Sequence, residues 1–169
     1  RRAGKMGDDE MMPLPKDAVE DALARVYELA FSYERDYGCC SQCVLAALDD
    51  VLGVGNDELV KASHALAGGG ALTVTGTCGA LAGALLAVGS QLGRERAAFG
   101  RGPCMESFKE GKRVVDAFVE EFGSPLCAEV QARIMGRPFY LWDQDDFAHF
   151  EAAGGHSDKC PRVVGTAAR

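Results

Sequence analysis

The chain lacks what would place it in a membrane, on nucleic acid or among hydrolases. No segment reaches the roughly 18 uninterrupted apolar residues of a membrane span, and the longest, Ala80 to Ser90, has the length of a buried core helix. Positive charge is in deficit, with 18 Lys and Arg against 25 Asp and Glu and a net charge of −7. That balance excludes the basic face that nucleic-acid binding needs. Histidine is scarce: His64, His149 and His156 lack metal-ligand spacing to one another, so structural or surface roles fit them. His156, four residues before Cys160, is the one suited to donate a hydrogen bond beside a site. No G-x-S-x-G, HExxH or P-loop occurs, and CxxC is not followed by His, which excludes c-type haem attachment. No alternation lasts long enough for a strand, and no repeat is visible. The opening RRAGKMGDDEMMPLPK has no apolar stretch after its arginines, so it is not an intact export signal. It reads as a flexible arm over residues 1–16, ahead of a single domain over 17–169.

Helical periodicity is what the chain does have. Val19, Leu23, Val26, Tyr27 and Ala30 recur at three- and four-residue steps from Asp17 to Tyr33, which predicts an amphipathic helix closed by Asp36-Tyr37-Gly38. Cys39-Cys40-Ser41-Gln42-Cys43 opens a second helix that stops at Gly53. Asn56 or Asp57 caps a third, running through Ala67 until Gly68-Gly69-Gly70 breaks it. A helix headed by Cys78 ends near Gly93, and Arg94 to Gly102 is a polar connection. Pro103 starts a long helix that places Phe108, Val115, Phe118, Val119 and Phe122 on one face. Ser124-Pro125 reads as a cap and first turn, which puts Cys127 in the opening turn of a short helix ending near Gly136. An acidic helix from Asp143 to Ala153 and a last one starting at Cys160-Pro161, with Cys160 as N-cap, complete the set. The expected fold is all-α, a bundle of six to eight helices with cysteines at helix N-termini.

Glycine and cysteine are both abundant, at 21 and 7 residues. In Thr73 to Gly89, Thr75-Gly76-Thr77 supplies a capping turn and Cys78 sits at or near the first helical position. Gly79 and Gly83 follow on one helical face. Each glycine costs roughly 1 kcal/mol relative to alanine inside a helix, so something approaches that face closely: either a neighbouring helix or a bulky group beside Cys78. Seven is an odd number of cysteines, in a chain that is no short secreted scaffold, and favours metal or redox use over a disulfide framework. Cys40, Cys78, Cys127 and Cys160 come from four segments, 38, 49 and 33 residues apart. Each is expected at a helix N-terminus, where the dipole and free N–H groups favour thiolate and would stabilise an anionic iron–sulfur cluster. Cys104 also stands at a helix start. Cys39 and Cys43, four apart, fit a place beside the site.

These motifs in this order resemble the C_GCAxxG_C_C family of redox-active proteins. The resemblance rests on Tyr37-Gly38-Cys39-Cys40-Ser41-Gln42, Gly68-Gly69-Gly70, Cys78-Gly79-Ala80-Leu81-Ala82-Gly83-Ala84, Phe122-Gly123-Ser124-Pro125-Leu126-Cys127 and Cys160-Pro161. The family is similar in turn to the cluster-bearing part of split-Soret cytochrome c. By that similarity, Cys40, Cys78, Cys127 and Cys160 are the ligand candidates for an iron–sulfur cluster, with [2Fe–2S] favoured. Gly79, Gly83 and His156 would lie against it. Cys39, Cys43 and Cys104 are additions to the family pattern and would be further ligands of a larger, [4Fe–4S]-type or second cluster. Three functions stay open. One is single-electron transfer to or from a larger redox enzyme, as a carrier, a homodimer or a subunit of a complex, rather than catalysis by a stand-alone enzyme. The second is thiol–disulfide chemistry at Cys40 and Cys43. The third is a structural zinc site in an assembly subunit. A reducing cytoplasm is the default compartment, although the related cytochromes are exported.

Overall fold

The first apolar stripe forms α1, Lys16–Tyr37, and Gly38 ends it with φ of 68°. α1 opens a computed structural model that describes residues 15–169. All but the last two residues of the arm expected over 1–16 therefore lie outside the described residues. Seven further α-helices follow: α2 (Cys40–Leu52), α3 (Asp57–Ala62), α4 (Gly79–Leu92), α5 (Met105–Phe122), α6 (Cys127–Met135), α7 (Gln144–Ala152) and α8 (Cys160–Ala168). The fold is all-α, as the periodicity requires. Among the described residues the sole β pairing is an isolated antiparallel bridge between Thr77 and Leu126. No described helix is long and apolar enough to cross a membrane.

α1 packs on α2 and α8, and α2 packs on α4, which leans on α5. Val26 and Ala30 of α1, Val44, Leu45 and Ala47 of α2, Leu81 and Ala84 of α4, and Val163 and Val164 of α8 form one core. Each large side chain so buried, Leu45 and Leu81 among them, contributes about 1.5–3 kcal/mol. Gly83 explains the closeness of α2 and α4. A Cβ there would lie 2.7 Å from the Ser41 carbonyl oxygen and 3.1 Å from Val44 Cβ.

The structure departs from the sequence reading at several points. The third helix stops at Ala62 instead of Ala67, because Ser63 is buried and doubly tied. Its Oγ donates to the Val60 carbonyl, and its carbonyl accepts from Ser41 Oγ, both at 2.8 Å. A 3₁₀ turn over His64–Leu66 takes over. Residues 68–72 then all adopt positive φ, from 48° to 84°, and Val74 follows at 63°. The polar connection over Arg94–Gly102 also contains a 3₁₀ turn, Arg96–Arg101.

Ser124-Pro125 does not enter α6. Leu126 is the N-cap, in extended conformation, because residues 124–126 are drawn into the bridge with residues 76–78. Cys160 is not a free helix start either. A π-helical turn, Gly155–Lys159, runs straight into α8, and the Cys160 N–H donates to the Gly155 carbonyl.

Candidate functional site

Four thiols reach one cavity from four directions. Cys40 is the first residue of α2, and Gly38 and Cys39 reverse the chain ahead of it with φ of 68° and 69°. Its sulfur lies over Gly79, where a Cβ would collide with Cys40 Sγ and stand 3.0 Å from the Ala67 Cα. Only glycine leaves that space. Cys78 is the N-cap of α4 and Cys127 the first residue of α6. Two backbone hydrogen bonds fix these two side by side. Cys78 N–H donates to the Pro125 carbonyl at 2.8 Å, and Cys127 N–H donates to the Gly76 carbonyl at 2.9 Å. Cys160 arrives from the π turn, a distortion that re-aims side chains within a helix.

The cavity has a volume of about 60 Å³ and is lined by Cys40, Cys78, Cys127 and Cys160, with Cys39, Glu34 and His156 also on its wall. Ala80, Val130, Phe150 and Val163 close it with apolar surface. Organic ligands occupy roughly 300–1,000 Å³, whereas one water takes about 30 Å³. The space therefore suits a small inorganic group.

Burial dominates the electrostatics. The sequence predicts thiol pKa values lowered by helix N-termini; in the structure they are raised, chiefly because a thiolate would be desolvated. Cys78 is pushed up to about 11 and Cys127 to about 12. Cys40 and Cys160 lie well above the usual thiol range, from burial first and the negative charge of Glu34 second. Cys39 is raised by burial as well. The helix-start effect is present but smaller: backbone N–H groups of Ala80 and Leu81 pull Cys78 down, and that of Gly68 pulls Cys40 down. Gln131 adds a side-chain donor. Its Oε1 accepts the Phe139 N–H at 2.9 Å, which turns its amide nitrogen to 3.8 Å from Cys127 Sγ.

Glu34 escaped the sequence reading. It stands four residues after Ala30 and eight after Val26, on the stripe that α1 buries, and it is 2% exposed. An acid in register with an apolar stripe was the signal available. Its Oε2 is buried with no hydrogen-bond partner among the described residues, and burial raises its pKa to about 6. His156 lines the cavity beside it, and His156 Nδ1 pairs with Glu151 Oε1 at 2.5 Å.

The remaining candidates lie elsewhere. Cys43 is buried one turn further along α2, outside the cavity lining, where its thiol donates to the Gly38 carbonyl at 2.9 Å and lines a groove with Tyr33 and Tyr37. Cys40 lines the cavity and Cys43 does not, although both neighbour Glu34. Cys39 lies at the cavity edge, its thiol 3.6 Å from the His64 carbonyl. Cys104, the N-cap of α5, donates to the Leu92 carbonyl at 3.2 Å, away from the cavity. Gly83 packs on α2 one turn beyond Gly79, and the His64 and His149 side chains are exposed. Among the described residues, no three His, Cys, Asp or Glu side chains are placed to hold one metal ion as they stand. The fit to an inorganic centre rests instead on donor chemistry and space. Soft sulfur donors converge on a small cavity, glycine is required behind one of them, and a buried carboxylate oxygen has no partner.

A family model described as "Putative redox-active protein (C_GCAxxG_C_C)" matches residues 38–169. No curated protein and no solved structure matches.

Proposed function

Because the chain belongs to the C_GCAxxG_C_C family of redox-active proteins, we propose that it is an electron-transfer protein whose cavity holds an iron–sulfur centre on Cys40, Cys78, Cys127 and Cys160. The observation that carries this reading is the convergence of four thiols from four elements on one cavity of about 60 Å³. Four thiolates match the ligand number of a [2Fe–2S] centre. When bound, such a centre supplies one-electron transfer.

The chain's own part is to hold and tune. The backbone bridge fixes Cys78 against Cys127, Gly79 clears the space for Cys40, and the π turn delivers Cys160. N–H groups of Gly68, Ala80 and Leu81, with the Gln131 amide, are directed at the sulfurs. Donors to ligating sulfur favour the more negative state and so raise a reduction potential. The thiol–disulfide alternative is less well supported. Its attacking thiol needs a pKa near ambient pH, whereas these are raised, and only Cys40 of the pair lines the cavity. The net charge of −7 suits docking to a basic patch on a larger redox protein.

The test is the content of iron, zinc and acid-labile sulfide in anaerobically purified or reconstituted protein, with its visible spectrum. About two irons and two sulfides per chain, with visible absorption that bleaches on reduction, is the expected outcome. Cys78→Ser should lose most of that iron. Colourless protein without iron after reconstitution would overturn the proposal, and a single zinc would make the site structural.

A further inference from the structure

From a buried, unpartnered carboxyl oxygen on a residue that lines the cavity we infer that Glu34 Oε2 is an oxygen ligand of the proposed metal centre, a fifth donor beside the thiols of Cys40, Cys78, Cys127 and Cys160. The inference rests on the iron–sulfur reading above and deepens it.

Glu34 belongs to α1, which supplies none of the thiols. It nonetheless lines the same cavity. The groups that face it come from every neighbouring element: Cys39, Cys40 and Cys43 from the start of α2, Cys78 from α4, Cys160 from α8 and His156 from the π turn. One carboxyl oxygen is within reach of the Cys43 thiol, and Oε2 has no partner. His156 is the sole cationic candidate among the described residues lining the cavity, and its ring is already paired with Glu151. No Lys or Arg is among them.

A carboxylate so placed is costly in two ways. A buried polar atom without a hydrogen bond loses its hydration for nothing. A negative charge there is repelled by the prospective thiolates of Cys40, Cys78 and Cys160. Leucine or alanine at position 34 would continue the Val26–Ala30 stripe and bear neither cost. A metal ion removes both at once, since it supplies the missing partner for Oε2 and the positive charge that the cluster of anions lacks. The donor type also narrows the metal. Iron accepts both thiolate and carboxylate, so a hard oxygen among soft sulfurs fits an iron that carries a ligand beyond its sulfur set.

The experiment is Mössbauer spectroscopy of the full chain reconstituted anaerobically with ⁵⁷Fe and sulfide, as wild type and as Glu34→Gln. The amide keeps the shape and removes the anionic oxygen. The wild type should give two distinct quadrupole doublets, one from iron with sulfur alone and one from iron that also carries oxygen. Glu34→Gln should lose the second doublet while keeping the same iron per chain. Identical spectra for the two proteins would overturn the inference. So would a single, sulfur-only doublet in the wild type, which decides the matter even where the variant fails to fold. Those two results leave the iron–sulfur reading standing, whereas a wild type that takes up no iron overturns both.

Discussion

At the residue scale, Glu34 and Gly79 show what the site costs the metal-free chain. Burial first of all raises the Glu34 pKa in the folded chain from the ordinary 4.5 to about 6. The folded state therefore binds the proton more tightly than the unfolded chain. Its contribution to stability is complete below pH 4.5 and is lost as pH rises through about 6. A shift of that size corresponds to about 2 kcal/mol. Denaturant titrations of the metal-free, reduced protein between pH 4 and 8 should show this fall in the wild type and not in Glu34→Gln. Gly79→Ala sets a methyl group against Cys40 Sγ and the Ala67 backbone. Overpacking of this kind costs about 1–3 kcal/mol, and it displaces a thiol as well. Gly83→Ala meets the Ser41 carbonyl and Val44 instead. Both variants should therefore unfold at lower denaturant concentration, but only Gly79→Ala should also lose iron per folded chain.

At the scale of elements, the segment between the 3₁₀ turn and α4 carries backbone strain. Gly68, Gly69 and Gly70 adopt positive φ freely, whereas Ala71, Leu72 and Val74 do so at a cost of about 1–2 kcal/mol each. Trp142 helps to hold the segment down, its indole N–H donating to the Ala71 carbonyl at 2.8 Å. Ala71 is exposed, so Ala71→Gly removes strain without touching the cavity. The loss of chain entropy offsets part of the gain. A net stabilisation of about 0.5–1 kcal/mol is expected in the same titrations. This segment also shows where the sequence stops being legible. The triple glycine marks a break on its own, and the helix ends at Gly38, Gly53, Gly123 and Gly136 follow from single residues. Left-handed Leu72 and Val74 cannot be read that way. Bonds that close the loop on itself impose their conformation, such as Val74 N–H to the Gly68 carbonyl and Gly76 N–H to the Gly69 carbonyl. The π turn before Cys160 is similar: nothing in GHSDK distinguishes it from an ordinary helical lead-in.

On the scale of the whole molecule, the bundle brings residues 40 and 160 to one cavity by packing α1 and α2 against α8. Cys40, Cys78 and Cys127 stand out in the sequence because each falls at a break in helical periodicity, whereas Cys160 follows a π turn that periodicity does not mark. Their common cavity follows from packing between elements, which periodicity within each element does not encode. Glu34 was illegible for the converse reason: as one charged residue in a good helix, it acquires meaning only once α2 and α8 cover its face. The raised thiol pKa values give the assembled site a pH signature. If these thiols are the ligands, as proposed, metal uptake must expel a proton from each, so apparent affinity should climb with pH, by about tenfold per unit for every proton released. Calorimetric titration of metal into the reduced protein, in buffers of different ionisation enthalpy, counts those protons. A count near zero would mean that the thiols are not the ligands.

The Cys78–Cys127 pairing has a consequence in time. Its two amide protons are held by backbone bonds between the 76–78 and 125–127 segments, and neither bond depends on any occupant of the cavity. In hydrogen exchange of the metal-free protein, both amides should rank among the slow ones, opening only with the core. Half of the sulfur set would then be in place before loading begins. An arriving ion would be captured by a rigid pair of anchors, and the later ligands would close around it.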